Sequence, residues 1–128
     1  MSQIHQVISI AATADRIYRA LLDSQEFALW SGAPAKVGDE AGAEFICFGT
    51  FITGRQVELV EGQRIVQAWR VFDWQPGHYS MVHIELQADG VATTLVLDQD
   101  GVPEDVVAHV GPGWNEKYWK PLRNHLES

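Results

Sequence analysis

Apolar and polar residues alternate along most of the chain, with the period of two that is typical of half-buried strands. In residues 3–10 the isoleucines share one face with Gln6, and His5 lies on the other face. The same alternation predicts further strands at residues 44–48, 51–60, 64–73, 79–88 and 92–99. Because the turns between these segments are too short for crossover helices, we expect neighbouring strands to pair antiparallel.

Helical spacing replaces this alternation between the first strand and the second. Thr13 suits the N-cap of a helix, and Ser24 is the expected cap of a second short helix that ends at Trp30. The apolar side of the first helix is formed by Ile17, Tyr18, Leu21 and Leu22. Residues 31–43 are rich in Gly, Ala and Pro, which predicts an irregular loop with a short strand near 35–37.

The end of the chain predicts a C-terminal helix. Pro103 suits a first helical position, and residues 111–113 (Gly-Pro-Gly) are expected to bend or break the helix before a longer segment, 113–126. At about 100° per residue, one stripe of that segment is largely aromatic and apolar. Its members are Trp114, Tyr118, Pro121, Leu122 and His125, with Trp119 and Leu126 on the flank. Because Pro121 is unfavourable inside a helix, either the helix kinks there or tertiary packing overrides the local preference.

These elements predict the α+β class. A sheet with one apolar face needs a cover, and the C-terminal helix is the candidate, so we expect a curved antiparallel sheet of six to seven strands wrapped on that helix. Two short helices follow the first strand. The 128 residues suit one domain, predicted to span 1–128. A long helix across a curved sheet encloses a cavity unless side chains fill it.

Charge and cysteine content narrow the functional classes. The formal net charge of −8 argues against binding to nucleic acid or to an anionic membrane surface. No apolar run is long enough to span a bilayer, and the N-terminal residues lack the pattern of a signal peptide. A single cysteine, Cys47, leaves no internal disulfide. We therefore predict a cytoplasmic protein.

A set of short motifs runs in order through nearly the whole chain. They are Ile10-Ala11, Ile17 with Ala20-Leu21, Trp30, Gly42 with Phe45, Gly54, Glu58-Leu59, Arg64-Ile65, Trp69-Arg70, Thr93-Thr94-Leu95, Gly101-Val102-Pro103, Gly113-Trp114, Tyr118-Trp119 and Pro121-Leu122. Together they resemble the activator-of-Hsp90-ATPase homologue family, within the START/Bet v 1-like (helix-grip) superfamily. Each motif alone carries little weight, and the ordered set carries the resemblance.

The resemblance implies a helix-grip fold with a cavity between sheet and helix. Relatives in the superfamily use such cavities to bind lipids, sterols or aromatic molecules, and occasionally for cyclase-like chemistry. The family takes its name from co-chaperones in which this domain accompanies a second domain that stimulates Hsp90, and the present chain is expected to hold one domain only. A chaperone or stress-response partner is therefore an alternative to ligand binding, and a cyclase or hydratase is a third possibility.

An aromatic-rich composition, with five Trp, five Phe and three Tyr, supports a cavity lining. The predicted ligand-binding residues are Trp30, Phe45, Phe51, Trp69, His83, Trp114 and Tyr118, with the aromatic rings supplying contact area and His83 orienting the ligand. The alternative for each ring is a purely structural core position, since truncating a buried Trp costs about 3–5 kcal/mol. His125 shares the Trp114 stripe and is the second histidine expected to face the cavity.

The remaining candidate chemistry is sparse. The five histidines have no metal-site spacing, and Asp98 and Asp100 share a strand face at a turn, where acidic residues are common. Cys47 lies between apolar neighbours with no nearby basic residue, so we expect an inert half-buried thiol. We predict no catalytic residues, no metal, no cofactor, a small apolar molecule as partner, and a monomer or homodimer. An enzymatic activity is left open as the less favoured reading.

Overall fold

The computed structural model describes residues 2–127, which form one antiparallel sheet and a set of helices. The strands are β1 (Ser2–Ile10), β2 (Lys36–Val37), β3 (Glu44–Cys47), β4 (Ile52–Val60), β5 (Arg64–Val71), β6 (Ser80–Asp89) and β7 (Ala92–Val102). The helices are α1 (Ala14–Leu22), α2 (Ser24–Ser31), α3 (Val107–Gly113) and α4 (Lys120–Glu127), with a π-helical segment (Trp114–Trp119) joining the last two. Residues 107–127 are called the C-terminal helix below.

The seven strands follow the order β1-β7-β6-β5-β4-β3-β2, and every neighbouring pair is antiparallel. Strands β2 to β7 form the predicted meander, and β1 returns to the far edge beside β7. This arrangement confirms the α+β prediction of a six- to seven-stranded antiparallel sheet with two short helices after the first strand and a helix at the C-terminus.

The alternation along the strands separates an inner face from an outer face. On β6, Val82, Ile84 and Leu86 are buried and their neighbours Met81 and His83 are exposed. The buried side points to the core, where Trp114, Trp119 and Leu122 of the C-terminal helix are almost fully enclosed. The helix therefore covers the apolar face of the sheet, as the pattern of residues predicts.

The caps of the two short helices differ in part from the prediction. Thr13 caps α1 as expected, and its Oγ1 accepts a hydrogen bond from the backbone N–H of Arg16 at 3.3 Å. The cap of α2 is Asp23 and not Ser24, because Asp23 Oδ1 accepts from the Glu26 N–H at 2.8 Å. Ser24 Oγ instead accepts from the backbone N–H of Val37 at 2.8 Å and so ties β2 to α2.

The start of the C-terminal helix was also predicted too early. β7 continues to Val102, so Pro103 begins a turn, in which the Val106 N–H donates to the Pro103 carbonyl at 3.1 Å. Helix α3 begins at Val107. The helix is not broken at Gly111–Gly113, because Pro112 lies within a segment that stays helical. None of the helices in residues 2–127 has both the length and the apolar character needed to cross a bilayer.

The π-helical segment explains how the helix accommodates Pro121. In this segment hydrogen bonds join residues five apart, and the Lys120 N–H donates to the Asn115 carbonyl. In a regular α-helix the proline ring would crowd the carbonyl of Lys117. The widened turn lies directly before Pro121, so the chain passes the proline without ending the helix.

A charged cluster fastens the C-terminal helix to the two short helices. Glu26 on α2 accepts hydrogen bonds from the Arg16 guanidinium at 2.6 and 3.2 Å, and its Oε2 lies 2.9 Å from His125 Nε2 on α4. Partial burial alone would raise the pKa of Glu26, but the hydrogen bonds from Arg16 and His125 outweigh it and hold that pKa below its ordinary value.

We predict that Glu26→Gln lowers the free energy of unfolding at pH 7 by about 1–2 kcal/mol, because charge-assisted hydrogen bonds are lost. Since the carboxylate has a lowered pKa in the folded state, its contribution is complete above the ordinary carboxyl range and disappears as the pH falls through the folded pKa. Urea unfolding of both proteins between pH 3 and pH 7 measures this.

The exposed Glu116 provides the control, because Glu116→Gln removes the same charge outside the cluster. A Glu26→Gln deficit that is as large at pH 3 as at pH 7, or that Glu116→Gln reproduces, would contradict the assignment.

Candidate functional site

Three indole rings fill the middle of the space between sheet and C-terminal helix. Trp114 stacks with Trp69 of β5 and with Trp119, each at a centroid distance of 5.3 Å and with interplanar angles of 25° and 17°. Tyr118 packs against Trp114 at 4.3 Å. The π-helical segment makes this possible, because bonding between residues five apart brings Trp114 and Trp119 onto neighbouring positions. The predicted flank position of Trp119 is therefore a core position.

Each indole N–H in this stack has a side-chain acceptor. Trp114 Nε1 donates to Gln99 Oε1 at 2.7 Å, and Trp119 Nε1 donates to Gln6 Oε1 at 2.8 Å. Trp69 Nε1 donates to the Tyr118 hydroxyl at 3.3 Å. Gln99 and Gln6 were missing from the candidate residues. The signal was present for Gln6, since a polar residue on the isoleucine face of a strand needs a buried partner.

The narrow space beside Tyr118 is closed to ligands. A void of about 10 Å³ lies among residues that include Phe45, Cys47 and Tyr118. Burial raises the pKa of Cys47 to about 12, and burial raises the pKa of Tyr118 well above its ordinary value. Both groups therefore stay protonated near neutral pH. The thiol is buried, more than the half-burial that we expected, and its raised pKa disfavours the reactive thiolate.

An open cavity of about 350 Å³ lies at one end of the filled core, between the ends of β4 and β5 and the first turns of the C-terminal helix. Its aromatic lining is formed by Phe51, Trp69, Trp74, Trp114 and Tyr118. Val106 and Val110 contribute aliphatic wall on the helix side. Gly113 also lies in this wall, and a Cβ added there would meet no atom within 4 Å. Sequence reasoning missed these wall residues.

Three polar residues stand at the rim of this cavity. Asp73 follows β5 on the sheet side, and His109 and Lys117 lie on the C-terminal helix, both exposed to solvent. His109, Gly113 and Lys117 are spaced by four residues, so they line one side of the helix. The cavity thus has an apolar interior and a charged entrance, which is the usual composition of a site for a small molecule.

Six of the seven predicted site residues divide into three groups, and the seventh, His83, lies on the outer face of the sheet. Phe51, Trp69, Trp114 and Tyr118 line the open cavity. Phe45 borders the closed void instead. Trp30 belongs to the core, where its ring packs on Phe27 at 4.3 Å and its Nε1 donates to the Ala20 carbonyl at 2.8 Å. The structure therefore brings four of the seven residues together around one space.

The placement of the histidines was wrong. Because β6 points Val82 and Ile84 inward, His83 lies on the outer face of the sheet. There its Nε2 lies 2.8 Å from Glu85 Oε1, and the side chain does not line the cavity. His125 faces α2 and Glu26 rather than the cavity. Within residues 2–127, no three His, Cys, Asp or Glu side chains are grouped as metal ligands.

Comparison with known protein families finds a match for most of this chain. Residues 11–127 match the family described as activator of Hsp90 ATPase homolog 1-like protein. The chain belongs to this family. This confirms the resemblance in the ordered motifs, which likewise extends over nearly the whole sequence.

Two curated relatives are considerably longer than this chain. An uncharacterised protein of Schizosaccharomyces pombe is 28% identical over 122 residues, which cover 95% of this chain and 36% of the relative. An activator of 90 kDa heat shock protein ATPase homolog from Dictyostelium discoideum is 36% identical over 77 residues, 59% of this chain and 20% of the relative. The chain therefore spans only about a third or a fifth of these proteins.

Two solved structures superpose on nearly the full chain. An HSP90 activator from Plasmodium falciparum has a TM-score of 0.93 at 21% identity and covers 99% of this chain and 97% of its own. The Aha1 dimer from Colwellia psychrerythraea has a TM-score of 0.84 at 18% identity, with coverage of 99% and 97%. At these identities the likeness establishes the helix-grip fold alone.

We predict that Gln99→Leu destabilises the fold by about 2 kcal/mol, although it adds apolar volume to the core. The substitution leaves the buried Trp114 N–H without its acceptor, and an unsatisfied buried donor costs about 1–3 kcal/mol. Chemical denaturation monitored by circular dichroism measures the change.

Gln87→Leu is the matched control, because Gln87 lies on the exposed face of β6 and its replacement is expected to change stability by less than about 0.5 kcal/mol. If both variants were as stable as the parent protein, the indole hydrogen bond would not be a requirement of the core.

Proposed function

We propose that this protein binds a small apolar molecule with an aromatic ring in the open cavity between sheet and C-terminal helix. The observation that carries the proposal is the open space itself: about 350 Å³ lined by three indoles, a tyrosine and a phenylalanine. Cavities that hold small molecules in proteins start at about 300 Å³ and are lined mainly by apolar and aromatic groups.

The position of the cavity supports a binding role over a packing defect. The core beside it is closely filled, and the void next to Phe45, Cys47 and Tyr118 measures only about 10 Å³. At the cavity, Gly113 leaves room that any larger side chain would occupy, and Phe51 is 48% exposed at the entrance. The wall thus has aromatic side chains on several sides but no side chain at Gly113 that would fill the space.

The size of the space sets the affinity to expect. A ligand of about twelve non-hydrogen atoms that gains about 0.5 kcal/mol per atom would bind with a Kd of about 40 μM. Titrations should therefore extend to the millimolar range.

An enzymatic role has less support in the interior. Cys47 and Tyr118 have pKa values raised by burial, so neither exchanges protons readily near pH 7. The other polar groups of the core, such as Gln99 and Ser80, do not titrate and are engaged in hydrogen bonds. Binding without chemistry is therefore the simpler use of the cavity.

We predict that Gly113→Leu reduces binding of the neutral fluorophore N-phenyl-1-naphthylamine more than tenfold, because the added side chain enters the cavity. The helix itself should not be weakened, since leucine is favoured over glycine by up to about 1 kcal/mol in a helix interior. Fluorescence titration gives the affinity, and thermal unfolding gives the stability.

Gly111→Leu is the control, because Gly111 lies in the same helix, has open space around its Cα and does not line the cavity. This variant should bind the fluorophore as the parent does. Binding that survives Gly113→Leu, or that is absent from the parent protein, would refute the cavity as the site.

A second candidate is an interaction with an Hsp90-type chaperone in the cytoplasm. Its support is the family and the names of two relatives, one an activator of the 90 kDa heat shock protein ATPase homolog and the other an HSP90 activator. Such an interaction requires a surface and no cavity, so the two candidates can be separated by experiment.

If the chaperone is the partner, we expect the purified chain to raise the ATPase rate of an Hsp90-type protein in proportion to its concentration. Gly113→Leu should retain this effect, since the substitution alters the cavity and the chaperone interaction requires no cavity. A coupled ATPase assay, with the Hsp90 inhibitor geldanamycin as the background control, measures the rate. An unchanged rate together with no association in analytical ultracentrifugation would exclude this candidate.

A further inference from the structure

We propose that the ligand of the cavity is an aromatic acid, with its ring in the apolar interior and its carboxylate at Lys117. This inference rests on the proposed binding function and assigns it a chemical class. It follows from the charges at the rim, the surroundings of Lys117 and the ring contacts of Trp114.

Lys117 is a cation at the rim of the cavity, and no counter-ion for it lies among the described residues 2–127. Its side chain lines the cavity, and within residues 2–127 it forms no ion pair. Four arginines of the chain are ion-paired instead, namely Arg16, Arg55, Arg64 and Arg123. The stem of a lysine can cover an apolar wall while its ammonium group stays at the water boundary. Lys117 is therefore positioned to receive an anionic group from a molecule that enters the cavity.

The helix wall below Lys117 gives that molecule room to approach. Gly113 lies one helical turn before Lys117 and leaves open space, and His109 lies a further turn before it on the same line. The ring nitrogens of His109 add a second possible donor at the rim. The helix side of the entrance thus offers two groups that can donate hydrogen bonds to an oxyanion.

The opposite wall fixes the direction in which an acid would enter. Asp73 lines the cavity on the sheet side and forms no ion pair with Lys117 or with any other residue in the described part of the chain. Its negative charge disfavours a carboxylate on that side. An acidic ligand is therefore oriented with its charged end toward the C-terminal helix.

Trp114, the central ring of the lining, is poorly suited to the alternative, a cationic ligand. A cation binds over the face of an aromatic ring. The faces of Trp114 are occupied by ring contacts, since Trp69 and Trp119 stack on it at 5.3 Å and Tyr118 packs at 4.3 Å. The edge of Trp114, which carries the positive end of the ring quadrupole, is left for a ligand. A ring edge attracts the face of an aromatic ligand, and its positive charge is compatible with a carboxylate on that ligand.

The test uses three ligands that share a naphthalene ring and differ in charge: 2-naphthoate, 2-naphthalenemethanol and 2-naphthylmethylamine. Isothermal titration calorimetry at pH 7.5 and low salt gives the three affinities. We expect the carboxylate to bind about fivefold more tightly than the alcohol, the effect of one partly exposed charge pair, and the amine to bind most weakly.

Variants assign the preference to the rim. Lys117→Gln should bring the carboxylate and the alcohol within a factor of two of each other, and Asp73→Asn should tighten the carboxylate by about twofold to threefold. Lys120→Gln removes an exposed lysine of α4 that does not line the cavity, and it should leave all three affinities unchanged. Raising the salt concentration should weaken the carboxylate alone.

The outcomes separate this inference from the function on which it rests. If the alcohol or the amine binds as tightly as the carboxylate, or if the preference survives Lys117→Gln, the acid assignment is overturned while ligand binding stands. If none of the three compounds binds, both are overturned. A carboxylate preference that Lys117→Gln removes and Lys120→Gln keeps would establish the assignment.

Discussion

The buried indole groups impose the requirement on which the rest of this fold depends. Three stacked rings, Trp69, Trp114 and Trp119, fill the space that a helix would otherwise leave above a curved sheet. Each ring contributes a large apolar area and one N–H that must find an acceptor away from water. Gln99, Gln6 and the Tyr118 hydroxyl supply those acceptors. The helix is thus held on the sheet by hydrogen bonds as well as by apolar contact. Because hydrogen bonds are directional, they fix the position of the helix relative to the sheet.

The sequence was sufficient for most of the architecture, because alternation and spacing are local properties. Strand β6 is an example, since its buried Val82, Ile84 and Leu86 occupy every second position. Local patterns failed where a distant partner decided the outcome. Ser24 was a reasonable cap by residue type, but its hydroxyl is engaged by β2. The passage of the helix through Pro121 depends on a widened turn that no pattern of apolar residues announces.

The site was less predictable than the fold for a related reason. Aromatic residues can be counted in a sequence, but whether a ring borders a void or fills one depends on the surrounding packing. Trp30 and Trp69 are both buried indoles, yet only Trp69 reaches the open cavity. The sequence does not show that Gly113 leaves space in a cavity wall either, because a glycine can occur in a helix for several different reasons. His83 was within reach of prediction, since the alternation of β6 already placed it outside.

The separation between the filled core and the open cavity has a consequence for how such a protein can change. The indole stack and its glutamines hold the helix on the sheet. The cavity wall is shaped by Val110, Gly113 and Lys117 of the same helix and by Val106 directly before it. Substitutions in the wall can therefore alter which molecule is accepted with little effect on stability. Ligand preference can diverge within one fold only if the residues that shape the binding site are separate from those that stabilise the core. Substitutions at the cavity entrance are then tolerated, because the stability of the fold depends on other residues.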